Sequence, residues 1–382
     1  MPARDLKNSL ASEEASYIFE EANRQLIICN ACRYCEGYCP VFRAIEIRRD
    51  FKQGDVFYLS NLCHDCRACY YACMFTPPHE FAINIPQILS QARLATYRRW
   101  SWPDFLGRAF KNRSVTVSLA TGMAALVAVL ALIFIPSEKL FTAHVGPGAF
   151  YEVVPYLAMV AGALILFVYA IAVWLNGGSR FWRETKTALK EKGSWKSLAA
   201  AVGAVLGLSY MNGGGPGCFY PDEKPSSARR LYHSLTFWGL MSDLISTTLA
   251  FIYQDFLHIL PPYALISAPV IFGAIGGVAL LIGTGGLIYF KLKSDAAPAV
   301  AAASGMDYVF LVTLGLTALT GMLTLILRET SAMGSLLVLH LATIAALFIS
   351  APYGKFVHAV YRTLAVIRYE AEQIHPHQNI GH

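Results

Sequence analysis

Eight of the nine cysteines in this chain fall in two copies of one spacing. The first is Cys29-x2-Cys32-x2-Cys35-x3-Cys39, followed by Pro40; the second begins 24 positions after Cys39 and reads Cys63-x2-Cys66-x2-Cys69-x3-Cys73. Thiolates at this spacing bind iron: three on a tight turn supply corners of one [4Fe–4S] cluster, and the fourth points away toward another cluster. Zinc sites favour two CxxC pairs or Cys/His mixtures over two four-cysteine runs. Disulfides need an oxidising compartment. The chemistry in prospect is therefore the passage of single electrons.

The runs are similar to those of bacterial two-cluster ferredoxins. Carried onto this sequence, Cys29, Cys32, Cys35 and Cys73 hold cluster 1, and Cys39, Cys63, Cys66 and Cys69 hold cluster 2. One departure is that Met74, not proline, follows the second run, with Pro77-Pro78 slightly later.

The elements that position these thiols divide in two. The composition is 55% hydrophobic and only 15% charged, which points to a membrane protein. Residues 1–105 hold the cluster cysteines and much of the charge, and read as a soluble, helical, ferredoxin-like domain. Residues 1–28 lack the basic-then-apolar pattern of a signal peptide. From 106 to 382 the chain reads as a transmembrane cytochrome b-like bundle. Six apolar stretches match the roughly 20 residues a bilayer requires, near 115–135, 153–175, 231–255, 268–290, 307–327 and 335–361. Residues 198–209 are apolar but short, and read as interfacial or reentrant.

Lysine and arginine set the expected orientation. Arg93, Arg98, Arg99, Arg108, Lys111 and Arg113 precede the first span, and the 176–230 loop carries nine basic residues. Lys291, Lys293, Arg362 and Arg368 fall on the same side. Positive-inside places both termini in the cytoplasm of a cell whose inner membrane holds the chain. The +6 net charge is a topology signal and not one for nucleic acid.

Histidine at helix depth is a functional signal by default. His233 near the start of span three and His358 near the end of span six fall at similar depth in antiparallel helices, as ligands of a b-type haem would. His258 and His340 lie toward the outer ends of the same helices. The 25 residues from His233 to His258 and the 18 from His340 to His358 differ by about 10 Å of helix, so the count stays open between one haem and two. His64, His144, His375, His377 and His382 read as surface residues.

Arg229, Arg230 and Lys355 precede the first histidine pair by three or four positions, where they either pair with haem propionates or snorkel to the interface. Asp243 is an acid in the middle of a span, the mark of a proton path or quinone site, or else a carboxylate held by a neighbouring serine or threonine. The glycine-rich loop Asn212 to Asp222 has no strand before it and opens no helix, so it is not a dinucleotide fingerprint. It reads either as a flexible connection or as a place where a quinone or partner approaches the backbone. Cys218, apart from both runs, reads as a packed thiol. No flavin or nicotinamide fold is present, so a hydride-abstracting cofactor belongs on another polypeptide.

Together these residues resemble the tricarballylate-utilisation protein B (citrate-utilisation protein B) family over nearly the whole chain. The likeness runs through both cysteine runs, GGGPGCFYPDE at 213–223, ARRLYHSLTFWG at 228–239, GGLIYFKLKSD at 285–295 and PYGKFVHAVYR at 352–362. The membrane half is also similar to nitrate reductase-type cytochrome b subunits, in which His233, His358 and His340 match haem ligands; the fourth expected ligand, ten residues after His233, is Asp243 here. The resemblance implies a partner, an FAD-dependent tricarballylate dehydrogenase. Its reduced flavin would be reoxidised through two [4Fe–4S] clusters and haem b, with membrane quinone as acceptor. The chain is then an electron-transfer subunit with quinone reductase activity. The alternatives are a quinol-oxidising module running in reverse, a tricarboxylate carrier (for which the spans hold too few cations), or an anchor or sensor without quinone chemistry.

Overall fold

The computed structural model describes residues 3–109, 113–186, 194–213, 215 and 217–373. Lys111, Gly214, Pro216 and the tail histidines His375, His377 and His382 lie outside the described residues.

The amino-terminal part is a set of short helices that deliver the cysteines from their ends. Helix α1 (Ala3–Cys32) ends on the first run, and α2 (Pro40–Glu46) starts at its last member. Cys39 caps α2 because Pro40 occupies the first helical position, where its fixed φ suits the helix and its missing N–H costs nothing. Helix α3 (Gln53–Leu62) is capped at its far end by Cys63, α4 (Ala68–Tyr71) carries Cys69, and α5 (Ile85–Arg99) closes the unit.

After the short α6 (Asp104–Ala109) come α7 (Arg113–Phe134), α8 (Ser137–Phe141), α9 (Ala149–Val153), α10 (Tyr156–Glu184) and α11 (Trp195–Leu206). A two-stranded hairpin, β1 (Cys218–Phe219) and β2 (Pro225–Ser226), follows, and then α12 (Ala228–Asp255), α13 (Ala268–Lys293), α14 (Ala301–Ile326), α15 (Met333–Ser350) and α16 (His358–Gln373). Six of these helices, α7, α10 and α12 to α15, are long and apolar enough to cross a membrane. The chain is a mostly helical, multi-pass membrane protein.

The sixth span differs from expectation. It stops at Ser350 and does not continue to 361. Pro352 lacks the N–H that would extend the helix and crowds the preceding turn, so the backbone breaks at 351–354. A short 3-10 turn (Lys355–Val357) then leads into α16. His358 therefore opens a separate helix, and the length comparison between His340 and His358 does not apply. The expected 198–209 segment is α11, which packs Ala201 inward and leaves Trp195, Val202 and Leu206 exposed.

Helices α12 to α15 pack in sequence, each on the next, with α7 and α10 against α15. The α12–α13 contact is close because glycines line it: a Cβ on Gly276 would meet the Gly239 carbonyl at 2.8 Å. Without a side chain there, backbones approach closely, the usual device where lipid removes the hydrophobic drive between helices.

The amino-terminal part and the rest of the chain share packing across residue 105. One hydrophobic core takes in Leu59, Leu89 and Trp100 from the amino-terminal part with Phe181, Ala201, Tyr361 and Tyr369 from beyond it. An ion network seals this union. Arg48 reaches Asp55 at 2.8 Å and Glu372 at 2.5 Å, and Tyr58 donates to Glu372 at 3.1 Å, all buried. Glu372→Ala leaves that guanidinium with Asp55 as its carboxylate and the Ala44 carbonyl and should cost roughly 3 kcal/mol, because a half-broken buried pair is strongly destabilising. The check is the melting temperature of the detergent-solubilised protein, with Glu372→Gln retaining part of the loss; an unchanged melting temperature in Glu372→Ala would refute it.

Candidate metal centres

The eight cysteines surround two neighbouring cavities. Cys29, Cys32, Cys35 and Cys73 line one of about 450 Å³, together with Ile28, Tyr34 and Met74. Cys39, Cys63 and Cys66 line the second, of about 370 Å³. Cys69 borders both. The last cysteine of each run thus crosses to the other run's cavity.

Both runs turn alike. The residue after the second cysteine, Arg33 in one and Arg67 in the other, has left-handed backbone at φ 54 and 65. That conformation is uncommon for a non-glycine residue and collects at functional loops. Backbone N–H groups point at sulfur: Asp65 N lies 3.4 Å from Cys63 Sγ, and Phe75 N lies 3.3 Å from Cys73 Sγ. Burial and neighbouring thiols push Cys29 and Cys35 up to about 12, so these sulfurs are protonated until a metal displaces the proton. Among the described residues no three Cys, His, Asp or Glu side chains converge as ligands of one metal ion. Four thiols spread around a cavity suit a multi-iron cluster instead, and the donor sets fit.

The second cavity is the one built into the membrane part. Arg229 of α12 donates to the Asp65 carbonyl at 2.8 Å and the His64 carbonyl at 3.2 Å. Arg362 of α16 donates to the Cys63 carbonyl at 2.6 Å. Phe219 N donates to the Cys66 carbonyl at 2.9 Å, and Tyr220 Oη to Asp65 Oδ2 at 2.9 Å. The glycine-rich loop is therefore a clamp on the second cysteine turn and not a slack connection. Gly217 makes this possible: its φ is 121, and a Cβ there would meet the Ser226 carbonyl at 2.5 Å. Cys218 is buried beside Cys66, its thiol on the Met211 carbonyl at 3.2 Å.

His64 belongs here and not on the surface. Burial, with Arg362, Arg93 and Arg229 around it, holds its pKa well below the usual imidazole range, so it is neutral.

His233 and His358 meet. Their ring centroids are 6.2 Å apart and nearly perpendicular. One metal between two imidazoles, with bonds of about 2.0–2.1 Å, gives about 6.3 Å. His358 Nδ1 donates to the Lys355 carbonyl at 2.6 Å, which leaves Nε2 as the lone-pair donor and fixes the ring, the usual arrangement behind a metal-binding histidine. The buried Nδ1 of His233 has no hydrogen-bond partner among the described residues. This pair would suit a haem iron, as two neutral imidazole donors.

The outer pair is not assembled. His258 lies past the end of α12, exposed and with left-handed backbone at φ 56. His340 faces α14, with Nδ1 3.1 Å from Thr320 Oγ1 and its ring against Gly321. The three cations expected at propionates are also engaged elsewhere. Arg229 grips the second cysteine turn, Arg230 donates to Asn212 Oδ1 and the Gly207 carbonyl at 2.8 Å each, and Lys355 pairs with Asp307 at 2.8 Å. Asp307 also pairs with Lys291. Short spacing along a helix says which cations lie near a histidine, but other elements claimed all three.

Asp243 faces α13, where a Cβ on Gly276 would collide with its carboxylate. Its neighbours do not capture it: Ser242, Ser246, Thr247 and Thr248 all donate to backbone carbonyls. Sequence reasoning counted Arg93 and Arg362 only as topology charges, and missed Asp307. The last had a signal, as the one acid in an otherwise apolar helix.

No solved structure is similar to this chain. The model of the citrate utilization protein B family matches residues 108–379, and that of the citrate utilization protein B Fer4-like domain matches 22–99. Citrate utilization protein B of Escherichia coli is 38% identical over 356 residues, 92% of each chain. With a Fer4-like domain in front of six apolar helices, the chain belongs to the citrate utilization protein B family.

Proposed function

We propose that this protein takes electrons from the reduced flavin of a partner dehydrogenase and delivers them to membrane quinone, with its Fer4-like part and both termini in the cytoplasm of a bacterial cell. Cys29, Cys32, Cys35 and Cys73 would hold one [4Fe–4S] cluster, Cys39, Cys63, Cys66 and Cys69 the other, and His233 with His358 a single haem b. Such groups, once bound, supply carriers of one electron each. The partner suggested by family resemblance is an FAD-dependent tricarballylate dehydrogenase.

The observation that carries this reading is the alignment of the three sites. Arg229 lies one helical turn before His233, and Arg362 one turn after His358; both arginines hold the Cys63–Asp65 stretch. One turn is about 5.4 Å of rise, so the histidine pair sits directly behind the second cavity. Cys69 links that cavity to the first, whose rim of Cys32, Tyr34 and Met74 is exposed. This rim is where a flavoprotein would dock, so that the partner would meet the first site before the second.

Farther along α12, Asp243 offers a carboxylate at mid-span with no hydrogen bond or ion pair among the described residues. Its role here is to pass a proton toward reduced quinone, since quinone reduction consumes protons and an intramembrane acid without a structural partner marks such a path. The test uses protein reduced with dithionite in liposomes and a short-chain quinone added in excess. Wild type should reoxidise rapidly; Asp243→Asn should reoxidise at least about a hundredfold more slowly, the low end of what a positioned proton donor contributes, with reduction by dithionite unchanged. Failure of wild type to be oxidised by any quinone would overturn the reading, and equal rates in the variant would remove Asp243 from it.

A further inference from the structure

Three arginines from three helices converge on one short stretch. Arg93 of α5 donates to the Ser60 carbonyl at 2.7 Å and the Cys63 carbonyl at 2.5 Å. Arg362 donates to the same Cys63 carbonyl, and Arg229 to those of His64 and Asp65 while approaching Cys218 Sγ at 3.8 Å. Among the described residues none of the three forms an ion pair with a carboxylate. Asp65, the acid on this stretch, accepts from Tyr220 and stands 4.0 Å from a fourth arginine, Arg67, while Asp307, the other acid that acts on Arg93, is already paired with Lys291 and Lys355. The four guanidiniums leave the surroundings of the second cavity strongly positive.

Buried cations without a carboxylate to pair with are costly. That cost would be offset by an anionic cluster held by Cys63 and Cys66, and the three arginines already grip the Cys63–Asp65 stretch between those two cysteines. The first cavity is different. Apart from its cysteines, its lining is Ile28, Tyr34, Phe42, Met74, Phe75, Ile83 and Ile85, with no charged side chain.

We propose that Arg93, Arg229 and Arg362 raise the reduction potential of the second iron–sulfur site above that of the first, and so bias electrons toward the membrane. The proposal rests on reading the cysteine runs as cluster ligands. An electron arriving at the second site adds one negative charge, and fixed cations within a few ångströms stabilise that added charge more strongly in a buried site than in water. Net charge and solvent exposure are recognised determinants of cluster potential. In the transfer one electron leaves the first site, which is oxidised, and the second is reduced by one; no proton or further reactant is needed. Two of the three arginines belong to α12 and α16, so docking of the later part of the chain tunes the second site. They are positioning residues that act on potential.

The experiment is a redox titration of the full-length, detergent-solubilised protein followed by EPR, with the second site's signal assigned by its loss in Cys66→Ser. In wild type that signal should appear at the higher potential. Arg229→Gln and Arg362→Gln should each lower it by at least a tenfold change in the equilibrium between the sites, about 59 mV for one electron, with the first signal unmoved. Arg229→Lys and Arg362→Lys, which keep the charge, should recover most of the shift. An unmoved second signal, equal movement of both, or loss of the second cluster in the lysine as well as the glutamine variants would overturn the proposal. Iron and sulfide in wild type short of two clusters would refute the underlying ligand reading, and the tuning role with it, before any titration begins.

Discussion

Replacing His233 or His358 by alanine should abolish the reduced-minus-oxidised absorption band of a b-type haem, while acid-labile sulfide and non-haem iron remain at wild-type levels. The groups that hydrogen-bond to metal-bound histidines are alone worth about 10–100-fold in affinity, so loss of a ligand should exceed that. The geometry makes the two positions equivalent. The 6.2 Å separation of the rings leaves room for one metal and no more. His258→Ala should leave haem content unchanged, because that residue is exposed beyond the end of its helix. A normal haem spectrum in His233→Ala and in His358→Ala would eliminate the pair as ligands. A stoichiometry of two haems per chain would restore the outer histidines.

The second large effect separates the two cysteine runs. Cys39→Ser should remove the cluster of the second run, and Cys73→Ser the cluster of the first, each variant losing roughly half of its non-haem iron because each cluster holds four irons. The reason lies in the cavities. Cys39 lines the space shared by Cys63 and Cys66, and Cys73 the space shared by Cys29 and Cys32. EPR decides the outcome: Cys39→Ser should lose the same signal as Cys66→Ser, and Cys73→Ser the same signal as Cys29→Ser. If each serine variant instead lost the signal of its own run, the crossed assignment would fall.

Much of this arrangement was legible from spacing, because the relevant periodicities are local. Four cysteines within eleven residues specify a turn, and a run of about twenty apolar residues specifies a span. The sixth span was misread at its end because apolar character continues past Pro352, whereas the backbone cannot. The propionate reading of Arg229, Arg230 and Lys355 used distance along one helix, which is blind to acceptors from other elements. His64 looked exposed for a similar reason: polar neighbours in sequence say nothing of the helices that close over it.

The charge pattern shows the same limit most clearly. Counting arginines for topology treats each as a solvated cation at a membrane surface. Arg93 and Arg368 are instead 5% and 0% exposed. A buried guanidinium needs acceptors, and these were carbonyls brought from elsewhere in the chain.

By itself, then, the sequence determined the two cysteine runs, the number of spans and the nearness of two histidines to the amino-terminal part, since all depend on residue type and short-range spacing. Only the tertiary structure decided which cysteine cavity abuts the membrane helices, which histidines pair, and where the arginines point their charge. These depend on contacts between residues up to about three hundred positions apart, such as Arg362 with Cys63, and no local pattern encodes them.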